Sequence, residues 1–179
     1  MLFLACELTY EIAVSAACEM SARLGEGVVV RVGLGGGSSG TYEAFMERID
    51  KCRDRRVQGV RLEAGFGFNN LGGDKFDYVS VGSGLLNLDV LGEEGAVGFM
   101  GRVVGLLERG GGVGLLVHGG AGVGGVQAGI RGIREKALEY DEVFDQVRGG
   151  RTCVPCVCVR VVNKRQQVSE RRGAIHERL

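Results

Sequence analysis

Three glycines near the middle of the chain have the spacing of a phosphate-binding loop. Within VGLLVHGGAGVGGVQAG (113–129) they form G-x-G-x-x-G as Gly120, Gly122 and Gly125. An apolar run precedes them and a helix-compatible run follows, which is the context in which such glycines bind the pyrophosphate of a dinucleotide. The acidic residues about 20 positions later, between 139 and 142, fall inside a predicted helix, whereas the ribose-binding acid should end a strand. A nucleotide- or dinucleotide-binding enzyme is therefore kept as an alternative.

Glycine is so frequent in this chain that the motif has little specificity. Glycine accounts for 33 of the 179 residues, so about one such motif is expected by chance. A second one does occur, at Gly35, Gly37 and Gly40. Glycine and valine codons begin with G, whereas the scarce proline, threonine and histidine need C or A there. Such strand skew is common in small organellar genomes, and it predicts an organelle-encoded protein of the mitochondrial matrix.

Other residues capable of catalysis or metal binding are few. His118 ends a predicted buried strand and His176 lies in a basic segment, so neither has the partners of a hydrolytic triad. Cys153, Cys156 and Cys158 lie close together, but a structural zinc site usually needs a second ligand pair. We interpret them as small apolar strand residues, with metal binding as the alternative. We expect no cofactor, no catalytic residue and, because no secretion signal is present, reduced thiols at all 6 cysteines.

Charge is distributed unevenly although the formal net charge is zero. Residues 1–150 carry 15 basic and 20 acidic side chains, a net of −5, and residues 151–179 carry 7 and 2, a net of +5. Arg-rich patches attract phosphate regardless of base sequence, and the scarcity of neighbouring aromatics favours folded RNA over single strands. A solvated helix face is the alternative. The candidate RNA-binding residues are Arg48, Lys51, Arg53, Arg55, Arg56, Arg61, Arg160, Lys164, Arg165, Arg171 and Arg172.

Apolar periodicity predicts strands that alternate with helices. Strand-like runs occupy 27–34, 57–65, 78–82, 85–91, 112–119 and 153–162, and helical patterns occupy 5–24, 41–56, 92–109, 123–147 and 163–179. This alternation predicts an α/β fold, with a doubly wound, flavodoxin- or Rossmann-like parallel sheet and helices on both faces. No apolar run approaches the ~18 residues that span a membrane, and the N-terminus has no signal or transit peptide. We expect no membrane contact.

The stretch VRLEAGFGFNNLGGDKFDYVSVGSGLLNLDVL (60–91) resembles the bacterial and organellar small-subunit ribosomal protein two family. Members of that family begin with a leucine-rich turn and an Ala-Gly-x-His-x-Gly-His run, followed by three strands at similar spacing. The matching residues here are Leu62, Ala64, Gly65 and Phe68, then Tyr78, Val79 and Gly82, then Leu85, Leu86, Asn87 and Leu88, then Gly112, Leu115, Leu116, Val117 and Gly119. Gly149, Gly150, Pro155 and the charged segment after them are similar to the family's later part.

The chain departs from that family in four places. Gly67 and Asn70 stand where the signature histidines belong, and the tryptophan-containing segment is missing. The coiled-coil insertion is reduced to the segment around 126–148, and the final strand is absent because the chain ends at Leu179. A missing strand exposes a sheet edge, so we expect another chain, such as a separately encoded remainder, to cover it.

The resemblance implies a non-enzymatic structural constituent of the small subunit of an organellar, mitochondrial ribosome. Its partners would be ribosomal RNA of the small subunit and other ribosomal proteins. Residues 57–179 would form the flavodoxin-like ribosomal domain, and residues 1–56 an N-terminal extension. The alternatives are the nucleotide- or dinucleotide-binding enzyme and a non-enzymatic subunit of another organellar complex.

Overall fold

The computed structural model describes residues 1–63, 67–116, 123–136, 139–147 and 154–162. It contains seven strands: β1 (Leu2–Cys6), β2 (Val30–Gly35), β3 (Val57–Arg61), β4 (Phe76–Gly82), β5 (Leu107–Leu116), β6 (Glu139–Val147) and β7 (Val154–Val162). The helices are α1 (Tyr10–Arg23), α2 (Ser39–Lys51), α3 (Leu88–Gly105) and α4 (Val123–Lys136). Two short 3-10 turns lie at Asn69–Leu71 and Ser83–Leu86.

The strands form one sheet in the order β3-β2-β1-β4-β5-β7-β6. The first five strands in this order are mutually parallel. The last two differ, because β7 runs antiparallel to both β5 and β6. Order 3-2-1-4-5 is that of a doubly wound sheet, and the predicted fold class is therefore confirmed.

Each face of the sheet is covered by helices over its own hydrophobic core. Alternate residues of β1 belong to different cores, Leu2 and Leu4 to one and Phe3 and Ala5 to the other, as the period of a strand requires. The core on the α1–α2 face includes Phe45, which is fully buried. The core on the α3–α4 face is larger, and its members include Val79, Val81, Ala96, Phe99, Met100, Val113, Leu115 and Ile133.

Three predicted elements differ from the structure in part or in full. The helix predicted over 5–24 is confirmed as α1 from Tyr10 to Arg23, but residues 5 and 6 belong to strand β1, because the apolar run LFLAC is short enough to fit either type. The strand predicted over 85–91 is a 3-10 turn leading into α3. The helix predicted over 123–147 ends at Lys136, and strand β6 follows it at Glu139–Val147. The segment 163–179 lies outside the described residues.

The sheet includes β1 and β2, from the first 56 residues, and β3 to β7, from the remainder. On the β5 side the same chain extends the sheet by β7 and β6, so the sheet has its edges at β3 and β6. The expectation of reduced thiols is also wrong in part, since a disulfide joins Cys18 of α1 to Cys52 at the end of α2, with 6.0 Å between their Cα atoms. Within the described ranges, no helix is both long and apolar enough to cross a membrane.

Candidate functional site

The strand order places a topological switch point between β1 and β4. From β1 the chain proceeds through β2 to β3 on one side, whereas from β4 it proceeds to β5 on the other. The connections that leave the carboxyl ends of β1 and β4 therefore diverge, and ligands of doubly wound sheets bind in the crevice that this divergence creates. The candidate site is built from the connections that follow β1, β2 and β4.

The connection from β1 to α1 is a tight turn of Glu7, Leu8 and Thr9. The Thr9 amide donates to the Cys6 carbonyl at 3.0 Å, and the Thr9 hydroxyl accepts from the Cys6 amide at 3.1 Å. That hydroxyl is therefore engaged with the end of β1, and it does not cap the helix that begins at Tyr10. The first-turn amides of a helix lack intrahelical partners, so α1 brings uncapped N–H donors to the carboxyl edge of the sheet.

The connection from β2 to α2 is glycine-rich and is joined to the first connection by a carboxylate. Gly36 and Gly37 have positive φ angles of 76° and 89°, a conformation that glycine adopts without steric penalty. The side chain of Ser38 caps α2 by accepting from the Thr41 amide. The Thr41 hydroxyl in turn donates to a carboxylate oxygen of Glu7 at 2.8 Å. Glu7 is exposed, and this bond holds its carboxylate between the ends of β1 and β2.

The connection from β4 packs directly against the first connection because it contains two glycines. A Cβ atom added to Gly82 would lie 3.2 Å from the Thr9 hydroxyl oxygen, and one added to Gly84 would lie 2.7 Å from the Cys6 sulfur. A side chain at Gly84 would force the Cys6 thiol or the loop itself to move, and one at Gly82 would fit only with a shift of a few tenths of an ångström. The two glycines therefore favour the close approach of the β1 and β4 connections at the floor of the crevice.

The first glycine motif follows β5 and reaches into α4, as the sequence predicted, and its last member, Gly125, is described. Gly120 and Gly122 lie outside the described residues, whereas Gly125 lies in the first turns of α4. A Cβ at Gly125 would lie 2.1 Å from the Leu86 carbonyl oxygen, so this glycine permits helix packing. The second motif also has the strand–turn–helix setting that the fingerprint requires, since it runs from Gly35 at the end of β2 to Gly40 in α2. His118 also lies outside the described residues.

One basic residue of 48–61 makes structural contacts. Arg56 is part of a structural network, since its guanidinium donates to both Asp54 carboxylate oxygens and to the carbonyls of Leu24 and Gly25. The hydrogen bonds from Arg56, with a further one from the Ser21 hydroxyl, hold the pKa of Asp54 well below its ordinary value. These bonds join the start of β3 to the end of α1.

The other candidate RNA-binding residues lie in α2, in the connection from α2 to β3, in β3 and in β7, or outside the described residues. Lys51 pairs with Glu47 at 2.7 Å, and the Arg61 guanidinium lies 5.4 Å from the centre of the Tyr42 ring. Arg48, Arg53 and Arg55 are exposed. Arg160 lies in β7 opposite Gly112 of β5. The remaining candidates lie outside the described residues: Lys164, Arg165, Arg171 and Arg172. RNA contact at these positions stays a prediction.

Metal binding by the three clustered cysteines stays a prediction, because only two of them are among the described residues. Cys156 and Cys158 lie in β7, opposite Leu116 and Gly114 of β5, and Cys153 lies outside the described ranges. In the part of the chain that the structure describes, no group of three or more His, Cys, Asp or Glu side chains could hold a metal ion.

Comparison with known proteins bears on the fold. No family model and no curated protein match the sequence. Solved structures do match: a methyltransferase from Pyrococcus furiosus has a TM-score of 0.60 at 14% identity, over 91% of this chain and 75% of that one. An rRNA methylase from Streptococcus thermophilus has a TM-score of 0.55 at 10% identity, over 90% and 87% of the two chains. The glycopeptide N-methyltransferase MtfA, complexed with S-adenosyl-L-methionine, has a TM-score of 0.54 at 15% identity, over 90% and 86%.

These matches overturn the ribosomal interpretation. Because the matching structures are methyltransferases, the predicted membership of the ribosomal protein two family is wrong. The predicted structural role in a ribosome, its ribosomal RNA and protein partners, and the predicted absence of enzymatic activity are wrong for the same reason. The resemblance in 60–91 depended on the order of strands and glycines, which many doubly wound sheets share. The chain has the Rossmann-like fold of the methyltransferases it matches.

Proposed function

We propose that this chain binds S-adenosylmethionine at the carboxyl edge of its sheet and transfers the methyl group to an acceptor. The observation that carries the proposal is the β1–β4 switch point in a fold that matches methyltransferases, one of them solved with S-adenosylmethionine. When bound, this molecule supplies a methyl carbon on a cationic sulfur; an acceptor lone pair bonds to the carbon while the C–S electrons return to sulfur, leaving neutral S-adenosylhomocysteine.

The residues of the crevice fit this ligand chemically. Its amino-acid end carries an ammonium and a carboxylate, and its ribose carries two hydroxyls. The Glu7 carboxylate, held by the Thr41 hydroxyl, can accept from the ammonium or the ribose hydroxyls. The uncapped first-turn amides of α1 can donate to the carboxylate, as helix N-termini do for anions. The positive-φ glycines Gly36 and Gly37 leave space beside the backbone for the sugar.

The turn after β1 also favours this ligand over a dinucleotide. Dinucleotide folds need glycines in the first strand-to-helix turn, so that the backbone can approach a pyrophosphate. Here that turn is Glu7, Leu8 and Thr9, and Glu7 would repel a phosphate. S-adenosylmethionine contains no phosphate and has a net positive charge, so an acidic turn suits it. The proposal therefore refines the nucleotide-binding alternative drawn from the sequence.

Equilibrium binding of S-adenosylhomocysteine tests the proposal, with Glu7→Gln as the site variant. Loss of a charge-assisted hydrogen bond of about 1.5 kcal/mol predicts roughly tenfold weaker binding. Glu19→Gln is the matched control, because Glu19 lies in the same helix region but pairs with Arg23 far from the carboxyl edge. We expect the control to bind as the parent does. Equal affinities of all three proteins would remove Glu7 from the site, and binding of NADH in place of S-adenosylhomocysteine would contradict the proposal.

A further inference from the structure

Exposed apolar side chains concentrate beside the candidate site. Among the described residues, four large hydrophobic side chains are exposed, and three of them follow β1 or β4: Leu8 at 88%, Val90 at 73% and Ile12 at 38%. The fourth, Val29, precedes β2 at the opposite edge of the sheet. Leu8 lies in the connection after β1, whereas Ile12 and Val90 lie in the first turns of α1 and α3, and the chain segments that lead into these two helices approach each other at Cys6 and Gly84. Apolar groups gathered at the mouth of a crevice are typical of a ligand-binding surface.

The same two connections are acidic. Residues 7–11 and 82–90 include three carboxylates, Glu7, Glu11 and Asp89, and they contain no lysine, arginine or histidine. The next acidic residues of α3 are already paired, since Glu93 and Glu94 both accept from Arg131, at 2.6 and 3.0 Å. A mouth with this composition attracts a cation and repels the phosphates of a nucleic acid.

We infer that the acceptor is a small amine that carries an apolar group, and that it is methylated on nitrogen. This inference rests on the proposed function. The apolar part of the acceptor would contact Leu8, Ile12 and Val90, and its ammonium would lie beside Glu11 and Asp89, because Glu7 is assigned to S-adenosylmethionine. For reaction the ammonium releases one proton to solvent, the nitrogen lone pair forms the new N–C bond, and the C–S bond breaks with its electrons left on sulfur. The N-methylated product leaves this step as an ammonium that keeps the two remaining N–H hydrogens, so one proton is released in the whole reaction.

The charge preference is tested by binding of matched probes to protein saturated with S-adenosylhomocysteine. The probes are 4-phenylbutylamine and 4-phenylbutanoate, which share an apolar group and differ in charge, and a short polyuridylate represents RNA. With Glu7 engaged by the bound S-adenosylhomocysteine, Glu11 and Asp89 attract the amine and repel the carboxylate by a fraction of a kcal/mol each, so the amine should bind at least about threefold more tightly than the carboxylate, and the preference should decrease with salt.

Two pairs of variants locate the binding. Glu11→Gln should weaken the amine about threefold, whereas Glu19→Gln, which removes the same charge from the other end of α1, should not. Leu8→Ser should weaken both phenylbutyl probes, whereas Val29→Ser at the opposite edge should leave them unchanged.

The outcomes separate the two claims. Bound S-adenosylhomocysteine together with equal or tighter binding of the carboxylate probe or of polyuridylate overturns the amine inference and leaves the proposed function standing. Failure of S-adenosylhomocysteine to bind overturns the proposed function and this inference with it. An unchanged amine affinity in Glu11→Gln and Leu8→Ser overturns the placement at this mouth.

Discussion

Replacing Gly132 with alanine should separate α4 from α3. An ideal Cβ at this position would lie 2.3 Å from the Val97 carbonyl oxygen and 3.0 Å from its carbonyl carbon. A carbon normally approaches such an oxygen to about 3.3 Å, so the helix axes would have to move apart by about 1 Å. A backbone carbonyl cannot rotate away as the end of a side chain can. The substitution should therefore fall near the upper end of the 1–3 kcal/mol range for overpacking.

The net effect combines this steric term with helix propensity. Alanine stabilises a helix by about 1 kcal/mol relative to glycine, so Gly132→Ala should lower the free energy of unfolding by about 1–2 kcal/mol. Gly98 of α3 is the matched control, because a Cβ there would meet only an Arg102 guanidinium nitrogen, at 3.8 Å. Gly98→Ala should raise stability by about 0.5–1 kcal/mol.

Thermal and urea unfolding of the two variants measures the difference. In a chain of this size 1 kcal/mol shifts Tm by about 2–4 °C. Gly132→Ala should therefore melt about 3–6 °C below the parent, and Gly98→Ala about 2 °C above it. If both substitutions stabilise the protein equally, the close packing of α4 on α3 is refuted. The interpretation of the α4 glycines as packing residues would then fail too.

Three further predictions concern the α1–α2 side of the sheet. Because the folded-state pKa of Asp54 is lowered from 3.8, the stability that its carboxylate contributes is present above that pH and is lost as the pH falls below about 4. Urea unfolding from pH 7 to pH 3 should therefore show that the destabilisation caused by Asp54→Asn becomes smaller below about pH 4. A destabilisation that stays constant over this range would contradict the network. Arg56→Ala removes four hydrogen bonds and should lower the urea midpoint, whereas Arg55→Ala, at an exposed position, should leave it unchanged in the same assay. Reduction of the Cys18–Cys52 disulfide, which spans 34 residues, should lower stability by about 3–4 kcal/mol in the chain-entropy account; an unchanged Tm after dithiothreitol treatment would refute the pairing.

The fold class could be predicted from the sequence because it depends on alternation of whole elements. Strands β2 and β4 lie close to their predicted ranges, and most of helix α3 overlaps the predicted helix. Errors occurred where a segment's own pattern is ambiguous. The five residues of β1 are apolar without alternation, and β6 is a charged sequence whose strand state depends on pairing with β7. Such pairing joins residues that are distant in the sequence, so the apolar periodicity of one segment does not predict it.

The site was predicted less well because its residues are brought together by topology. Glu7 and Thr41 are 34 positions apart, and their hydrogen bond exists only because β1 and β2 are adjacent parallel strands. An exposed glutamate after a short apolar run gave no signal by itself. The glycines of β2–α2 did give one, but the high glycine content of the chain concealed it. The mitochondrial location predicted from composition stays a prediction.

Calorimetric titration of the full chain with S-adenosylhomocysteine tests the central claim most directly. The account predicts saturable binding of one molecule per chain with a dissociation constant in the micromolar range, corresponding to about −8 kcal/mol. It also predicts that Glu7→Gln weakens this binding roughly tenfold, while Glu19→Gln leaves it unchanged. Absence of saturable heat at millimolar ligand, with the protein folded by circular dichroism, would contradict the account.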